Sequence, residues 1–320
     1  MPLFAEITFP GWNPVALHLG PLAIRWYGLA YLAGFLIAGW LLDRMVKDGY
    51  LPFSTAAVSD LIGYLVLGVL LGGRLGYAVF YDPSMLIHPL ALVAVWDGGL
   101  SFHGGLTGVL IASVWFARRR QVSWRRVTDG LALAAPAGIF LVRIANFVNG
   151  ELFGRVAPAW LPWAMRFPTD PKAEALLPAL DSAGPMHWHA AYLAARASGA
   201  WARIAPQVPL RHPSQLYEAL CEGLVTGLVL WWVYRRRHAT LRSGTLAALF
   251  LFLYSAARFL IEFTRQPDPQ FVTPAHPLGT VLGPFDMGQV LTVFLVLGGV
   301  VMLKWPARAV DRSAPNQSPL

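Results

Sequence analysis

The sequence predicts an all-α membrane protein with about seven transmembrane helices and a small head region outside the bilayer. Three observations lead there. Of 320 residues, 56% are hydrophobic and only 13% are charged, against about 25% charged in soluble domains. Apolar runs of the roughly 20 residues needed to cross a bilayer fall at 22–42, 59–81, 99–117, 128–149, 213–234, 244–264 and 285–305. The basic residues gather in the short connections between these runs, on alternate sides.

Those charges set the expected orientation. Arg44 and Lys47 follow the first run, and Arg118, Arg119, Arg120, Arg125 and Arg126 lie between the third and fourth. Arg235, Arg236, Arg237 and Arg242 separate the fifth from the sixth, and Lys304, Arg308 and Arg312 follow the seventh. Neither the segment before the first helix start at Leu22 nor 82–98 contains Lys or Arg. The positive-inside rule then puts the N-terminus outside and the C-terminus in the cytoplasm. The expected organisation is one membrane domain: helices over 1–149, a head over 150–212, helices over 213–305, and a cytoplasmic tail over 306–320.

Composition excludes several function classes. A net charge of +8 and a pI near 9.9 would suggest nucleic acid in a soluble protein; here the basic loops are a topology signal, and no nucleic-acid partner is expected. The single cysteine, Cys221, lies in an apolar run, so neither a disulfide framework nor a cysteine metal site is expected. The start MPLFAEITFPGWNP lacks a positive n-region, so the first apolar run is expected to remain as a membrane helix.

Taken in order, the second run carries Gly68, Gly72 and Gly76, a small-residue stripe that lets another helix approach closely. The third opens on Asp97-Gly98-Gly99-Leu100-Ser101-Phe102-His103-Gly104-Gly105, and the fourth contains Pro136 and Gly138, a kink that packing can tolerate. The head is rich in Pro and Trp, with Trp160, Trp163, Trp188 and Trp201. The fifth run begins His212-Pro213-Ser214-Gln215-Leu216-Tyr217-Glu218.

Polar residues inside apolar runs mark the functional candidates. An arginine at bilayer depth costs roughly 2.5–3.5 kcal/mol on insertion scales, yet Arg143 and Arg258 are both present. With the expected orientation, Tyr27, Arg74, His103, Arg143, Asn146 and the sixth-run series Tyr254, Arg258, Glu262 and Arg265 all fall in the outer leaflet. Two arginines suit an anionic group such as a phosphate, which guanidinium holds bidentately. Glycines around His103 allow close backbone approach, and a histidine can accept a proton near neutrality. Headgroup depth points to a phospholipid.

Structural readings of the same residues stand beside these. Arg258 and Glu262 can pair at i, i+4, Arg74 can snorkel outward, and His103 can be a hydrogen-bonded helix-end residue. Arg155 and Arg265 can be interfacial charges, His187 and His189 lack further metal ligands, and Cys221 suits packing. Coincidence of depth favours the functional reading.

The stretches WYGLAYLAGF (26–35), GGRLGYAVFY (72–81), WDGGLSFHGGL (96–106), RIANFVNGELFGR (143–155), RHPSQLYEAL (211–220) and RFLIEFTRQPD (258–268) run through nearly the whole chain in one order. In them the chain resembles the bacterial prolipoprotein diacylglyceryl transferases. Arg143, Asn146, Phe147, Asn149, Glu151 and Gly154 match the family signature, whose leading Gly is Val142 here. The segment 156–210 matches least.

The resemblance implies transfer of a diacylglyceryl group from phosphatidylglycerol to the lipobox cysteine of a prolipoprotein signal peptide, forming a thioether and releasing glycerol phosphate. It implies no metal and no organic cofactor, and a multi-pass place in the bacterial inner membrane with the site toward the periplasmic leaflet. On this reading Arg143 and Arg258 clamp the phosphate and His103 is the candidate base for the thiol. Asn146, Tyr27, Tyr254 and Glu151 orient the headgroup or the arginines, Glu262 and Arg265 brace the sixth helix, and Gly104 and Gly154 belong to the lipid-binding set.

Two rivals stay open. An anionic-phospholipid transporter or flippase would use the same arginines, but calls for midplane sites on repeat-related broken helices. A membrane esterase would use the Gly-rich His103 segment, but Gly99-Leu100-Ser101-Phe102-His103 lacks the last glycine of a nucleophile elbow.

Overall fold

The computed structural model describes residues 7–20, 22–94, 98–177, 187–267, 269–274 and 276–304. Trp96, Asp97, Met186, Asp268, Arg308, Arg312 and the expected cytoplasmic tail lie outside the described residues.

The chain is mostly helical, and each of the seven expected helices forms. They are Trp26–Lys47, Thr55–Phe80, Phe102–Arg119, Trp124–Val148, Ser214–Arg237, Thr245–Glu262 and Met287–Lys304. Among the described residues, six are long and apolar enough to cross a membrane; the third, Phe102–Arg119, is not one of these six. Its glycines and terminal arginines lower its hydropathy.

Boundaries shift where local chemistry overrides hydropathy. The first helix starts at Trp26, four residues later than the apolar run, because Leu22–Arg25 pairs antiparallel with Val15–Leu19. Arg25 is therefore a strand residue opposite Val15. The third helix starts at Phe102 because Gly98 and Gly99 take φ of +81° and +73°, a left-handed conformation incompatible with helix. Ser101 caps it by accepting from the Gly104 N–H.

The chain forms two compact units, one made of 1–34, 135–229 and 250–299, the other of 35–134, 230–249 and 300–320. In the second unit the glycine stripe works as expected. A Cβ on Gly68 would lie 2.6 Å from the Gly108 carbonyl oxygen, and one on Gly76 would lie 2.8 Å from the Gly104 Cα. The helices Thr55–Phe80 and Phe102–Arg119 thus pack backbone to backbone, and Gly104 is part of that contact. Arg74 does not snorkel: it is buried and donates to the carbonyls of Ala91, Leu92, Ala94, Gly98 and Gly99. One guanidinium thereby satisfies the loop that precedes the third helix.

Asp129 makes a second polar knot in that unit. It is fully buried, accepts from the Tyr50 hydroxyl at 2.8 Å, and accepts from the backbone N–H groups of Gly244 at 2.7 Å and Ala247 at 2.9 Å. A carboxylate from the fourth helix therefore satisfies orphan donors where Thr245–Glu262 begins. In the first unit, the head residues Met165, Phe167, Trp188, Tyr192, Trp201 and Val208 build a core with Phe147 of the fourth helix and Phe9 of the N-terminal segment. The Tyr192 hydroxyl donates to the Phe9 carbonyl at 2.8 Å. His189 bonds to the Gly11 carbonyl at 3.1 Å, which gives it a structural partner.

The glycine contact yields a prediction. Gly108→Val should destabilise the protein by roughly 1–3 kcal/mol through overpacking, lowering the detergent-solubilised melting temperature. Gly63→Ala, where an added Cβ meets nothing within 4 Å, should leave it unchanged.

Candidate functional site

The helix Trp124–Val148 carries Arg143 and Asn146 one turn apart and ends just beyond them. It runs unbroken through Val142, which is half-buried. After it the chain turns through Gly150 at φ +68° and Leu152 at φ +58°. The left-handed Leu152 is a costly conformation for a branched side chain, and the start of the fifth helix holds it there. Gln215 donates from Nε2 to the Glu151 carbonyl at 2.6 Å, and Ser214 donates from Oγ to the Leu152 carbonyl at 3.0 Å.

This turn aims Glu151 back at its own helix. Asn146 Nδ2 donates to Glu151 Oε1 at 2.8 Å, Asn149 Nδ2 donates to the same oxygen at 3.1 Å, and Arg143 Nη1 donates to Asn146 Oδ1 at 3.4 Å. The polar residues of the stretch are thus one hydrogen-bonded chain that ends on a guanidinium.

The other side of Arg143 meets a residue that the sequence reading did not single out. Glu218 is fully buried, and its Oε2 lies 2.7 Å from Arg143 Nε and 3.6 Å from Arg258 Nη1. Its Oε1 lies 3.5 Å from Arg265 Nε. Glu222, also fully buried, lies 3.7 Å from Arg258 Nη1. Both carboxylates belong to the fifth helix, which is π-helical over Ala219–Val225; such wide turns often mark functional sites. The helix also lies very close to the fourth there, since a Cβ on Gly223 would stand 2.7–2.8 Å from Phe140 atoms. Phe140 is one turn before Arg143, so this contact brings the glutamates to that arginine.

The helix Thr245–Glu262 completes the cluster with the face expected from spacing. Arg258 Nε pairs with Glu262 Oε2 at 2.9 Å, and Arg265 Nη1 lies 3.8 Å from the same oxygen. The i, i+4 pair is therefore real, and it coexists with the contacts to Glu218 and Glu222. Gly288 makes room for it: an added Cβ would lie 2.6 Å from Glu262 Cδ. Tyr254 is electrostatically coupled to Arg258, Arg143, Glu218 and Glu222, and Tyr27 to Glu151 and Arg143. The Tyr27 hydroxyl lies 3.4 Å from that of Tyr31.

Gly154 and Arg155 tie the cluster to the head. Gly154 forms an antiparallel bridge with Arg265, and its N–H donates to the His212 carbonyl at 2.8 Å. A Cβ there would collide with the Thr264 carbonyl oxygen, so close backbone approach explains the glycine. Arg155 Nε donates to the Arg265 carbonyl at 2.6 Å, and its Nη2 reaches Asp286 at 3.5 Å. Asp286 forms a reciprocal capping box with Gln289 at the start of the last helix. Nearby, burial lowers the pKa of His212, whose Nδ1 lies 3.3 Å from the Tyr217 hydroxyl.

Tyr27, Arg143, Asn146, Glu151, Gly154, Tyr254, Arg258, Glu262 and Arg265 thus all belong to the first unit, and Arg143, Asn146, Glu151, Arg258, Glu262 and Arg265 take part in its ion and hydrogen-bond network. His103 and Gly104 belong to the other unit, where His103 is exposed on the first turn of Phe102–Arg119 and its carbonyl accepts from Thr107. The missed residues left a legible signal: two carboxylates four apart inside an apolar run of spanning length.

Comparison with known proteins identifies the family. Residues 14–305 match the family model described as prolipoprotein diacylglyceryl transferase. A phosphatidylglycerol–prolipoprotein diacylglyceryl transferase of Paraburkholderia phymatum is 42% identical over 95% of this chain and 96% of its own. Proteins of the same name from Burkholderia thailandensis, at 42% over 94% and 97%, and Burkholderia mallei, at 41% over 94% and 97%, are similarly close.

Removing the shared carboxylate should be costly. Glu218→Ala leaves guanidiniums without their counter-ion and should destabilise by about 3–5 kcal/mol, read as a lower melting temperature in detergent. The isosteric Glu218→Gln should lose less.

Proposed function

The chain belongs to the prolipoprotein diacylglyceryl transferase family, and from that premise we propose that its buried arginines hold the phosphate of phosphatidylglycerol during transfer to a cysteine. The enzyme moves the diacylglyceryl group of phosphatidylglycerol onto prolipoproteins, the first step of lipoprotein maturation. Six apolar helices make it a multi-pass membrane protein. We place it in the bacterial inner membrane with the site toward the periplasmic leaflet, as the positive-inside rule supports.

One observation supports the phosphate assignment above the others. Arg143 and Arg258 face a single buried oxygen, Glu218 Oε2, at 2.7 and 3.6 Å. Guanidiniums that converge on one anionic oxygen can converge on another, and a phosphate offers more acceptors in the same space. Asn146 and Glu151 orient Arg143, Glu262 pairs with Arg258 and with Arg265 braces the sixth helix, and Tyr27 and Tyr254 orient the headgroup or the arginines.

The reaction is displacement at a glycerol carbon. The sulfur of the lipobox cysteine forms the C–S bond, the C–O bond to phosphate breaks, and the phosphate oxygen keeps the electron pair and leaves as glycerol phosphate. Charge grows on that phosphate as the bond breaks. Fixed guanidiniums in a low-dielectric site stabilise such growth more than they stabilise the ground state. The thiol must lose its proton, since the thiolate is the nucleophile, and we assign His103 as the acceptor. The chain's own thiol, Cys221, lies half-buried within the π turn, and the reaction does not call on it.

The test is thioether formation on a lipobox peptide by purified protein in phosphatidylglycerol proteoliposomes. Arg143→Ala should lower kcat/KM by about 10²–10³-fold, the loss typical of one preorganised charge-stabilising donor. Wild-type turnover in a folded variant would remove Arg143 from the mechanism. His103→Gln should show a deficit that shrinks as pH rises toward the thiol pKa of about 8.5; a deficit constant with pH would make His103 a positioning residue. Release of glycerol phosphate that requires the cysteine peptide separates transfer from the transporter and esterase readings.

A further inference from the structure

We propose that Glu222 is a product-release residue: its ionised carboxylate keeps the arginine cluster selective for a singly charged phosphodiester over the phosphomonoester that leaves. The inference rests on the headgroup reading above and deepens it.

Glu222 is the member of the cluster for which the phosphate clamp has no use. It is fully buried in the π-helical turn, and neither of its carboxylate oxygens has a hydrogen-bond partner among the described residues. Its nearest cation, Arg258 Nη1, is 3.7 Å away, beyond hydrogen-bond reach, whereas Arg258 already pairs with Glu262 at 2.9 Å. The groups that face it electrostatically are Glu218 and Cys221 on its own helix, Arg143 on the fourth, and Arg258 and Tyr254 on the sixth. A buried carboxylate held this loosely costs stability, and pairing Arg258 does not account for it.

The charge balance does. Three guanidiniums, Arg143, Arg258 and Arg265, share their space with three carboxylates, Glu218, Glu222 and Glu262. Without the glutamates the arginines would attract the most highly charged phosphate present. The substrate phosphodiester carries one negative charge, while a phosphate monoester carries about 1.5 to 2 at neutral pH. The product would then bind more tightly than the substrate and stall turnover. At pH 8, an ionised carboxylate several ångströms from the bound phosphate penalises the second product charge by roughly tenfold in affinity at protein-like effective dielectric. Glu222, 3.7 Å from Arg258 Nη1, is placed to supply that charge.

The experiment measures inhibition of the full-length enzyme, in the phosphatidylglycerol and cysteine-peptide assay, by two soluble probes at pH 8. One is sn-glycerol 1-phosphate, a dianion there, and the other is glycerophosphoglycerol, a monoanion. Wild type should bind the monoanion more tightly. Glu222→Gln should shift the ratio of inhibition constants by about tenfold toward the dianion, with a lower kcat and a KM for phosphatidylglycerol that does not rise. Glu222→Asp, which keeps the charge, should hold the wild-type ratio. A wild type that prefers the dianion, or a Gln variant with an unchanged ratio, overturns the inference, and the wild-type comparison stands even if a variant does not fold. If phosphatidylglycerol does not serve as donor at all, the headgroup reading falls with it; an unchanged ratio in an enzyme that does transfer from phosphatidylglycerol overturns this inference alone.

Discussion

One buried carboxylate, Glu218, sets the terms for the rest of the ion network. It touches Arg143 of the fourth helix and Arg258 and Arg265 in and just after the sixth, in surroundings where an unpaired charge is prohibitive. The elements that bring these groups together are adjusted accordingly. The fifth helix widens to a π turn immediately after Glu218, Gly223 lets it lie against Phe140, and the Asn146–Glu151 pair steadies Arg143 from its other side.

Backbone proximity is the recurring means. Between helices in lipid there is little hydrophobic force to press them together, so close approach and polar contacts must do it. At Gly223 and Gly288 the missing Cβ leaves space for a neighbouring backbone and for the Glu262 carboxylate; at Gly154 it leaves space for the Thr264 carbonyl. This changes how Gly154 is understood. Its place in the signature suggests contact with lipid, while its surroundings give it the task of setting where Arg265 emerges from the sixth helix. On the proposed headgroup reading, its effect is indirect, through an arginine.

Much of this was legible in the sequence, for reasons that also explain the gaps. Helices show in hydropathy because each must match the bilayer locally, and the stripe Tyr254, Arg258 and Glu262 shows because its period belongs to one helix, whereas Arg265 lies past the helix end in a bridge with Gly154. Partnerships between helices leave no such local trace. Glu218 looked like a helix-start residue, and Glu222 disappeared into an apolar run. Asp129 gives no hint from its neighbours that it accepts N–H groups from the start of the sixth helix, 115 and 118 residues away. Arg74 was ambiguous for the same reason, since its five carbonyl partners lie in the short helix Pro89–Val93 and the residues after it. The strand Leu22–Arg25 was hidden differently: its residues are as apolar as the helix that follows, and hydropathy does not distinguish the two.

A phosphate site inside a membrane protein must be stable both with and without its ligand. Three unneutralised arginines at that depth would be costly in the empty enzyme, and carboxylates reduce that cost while weakening the hold on any anion. Resting stability and ligand affinity are therefore opposed within one cluster. Glu218 and Glu262, in contact with the guanidiniums, chiefly relieve the empty state. Arginines whose planes are already fixed by carboxylates need little rearrangement when a phosphate arrives, so part of the affinity lost to competing charge returns as preorganisation. Positive charge in excess would bind lipid more tightly in both ground state and product, where tight binding does not raise kcat. A nearly neutral, rigid cluster suits turnover better than a strongly cationic one.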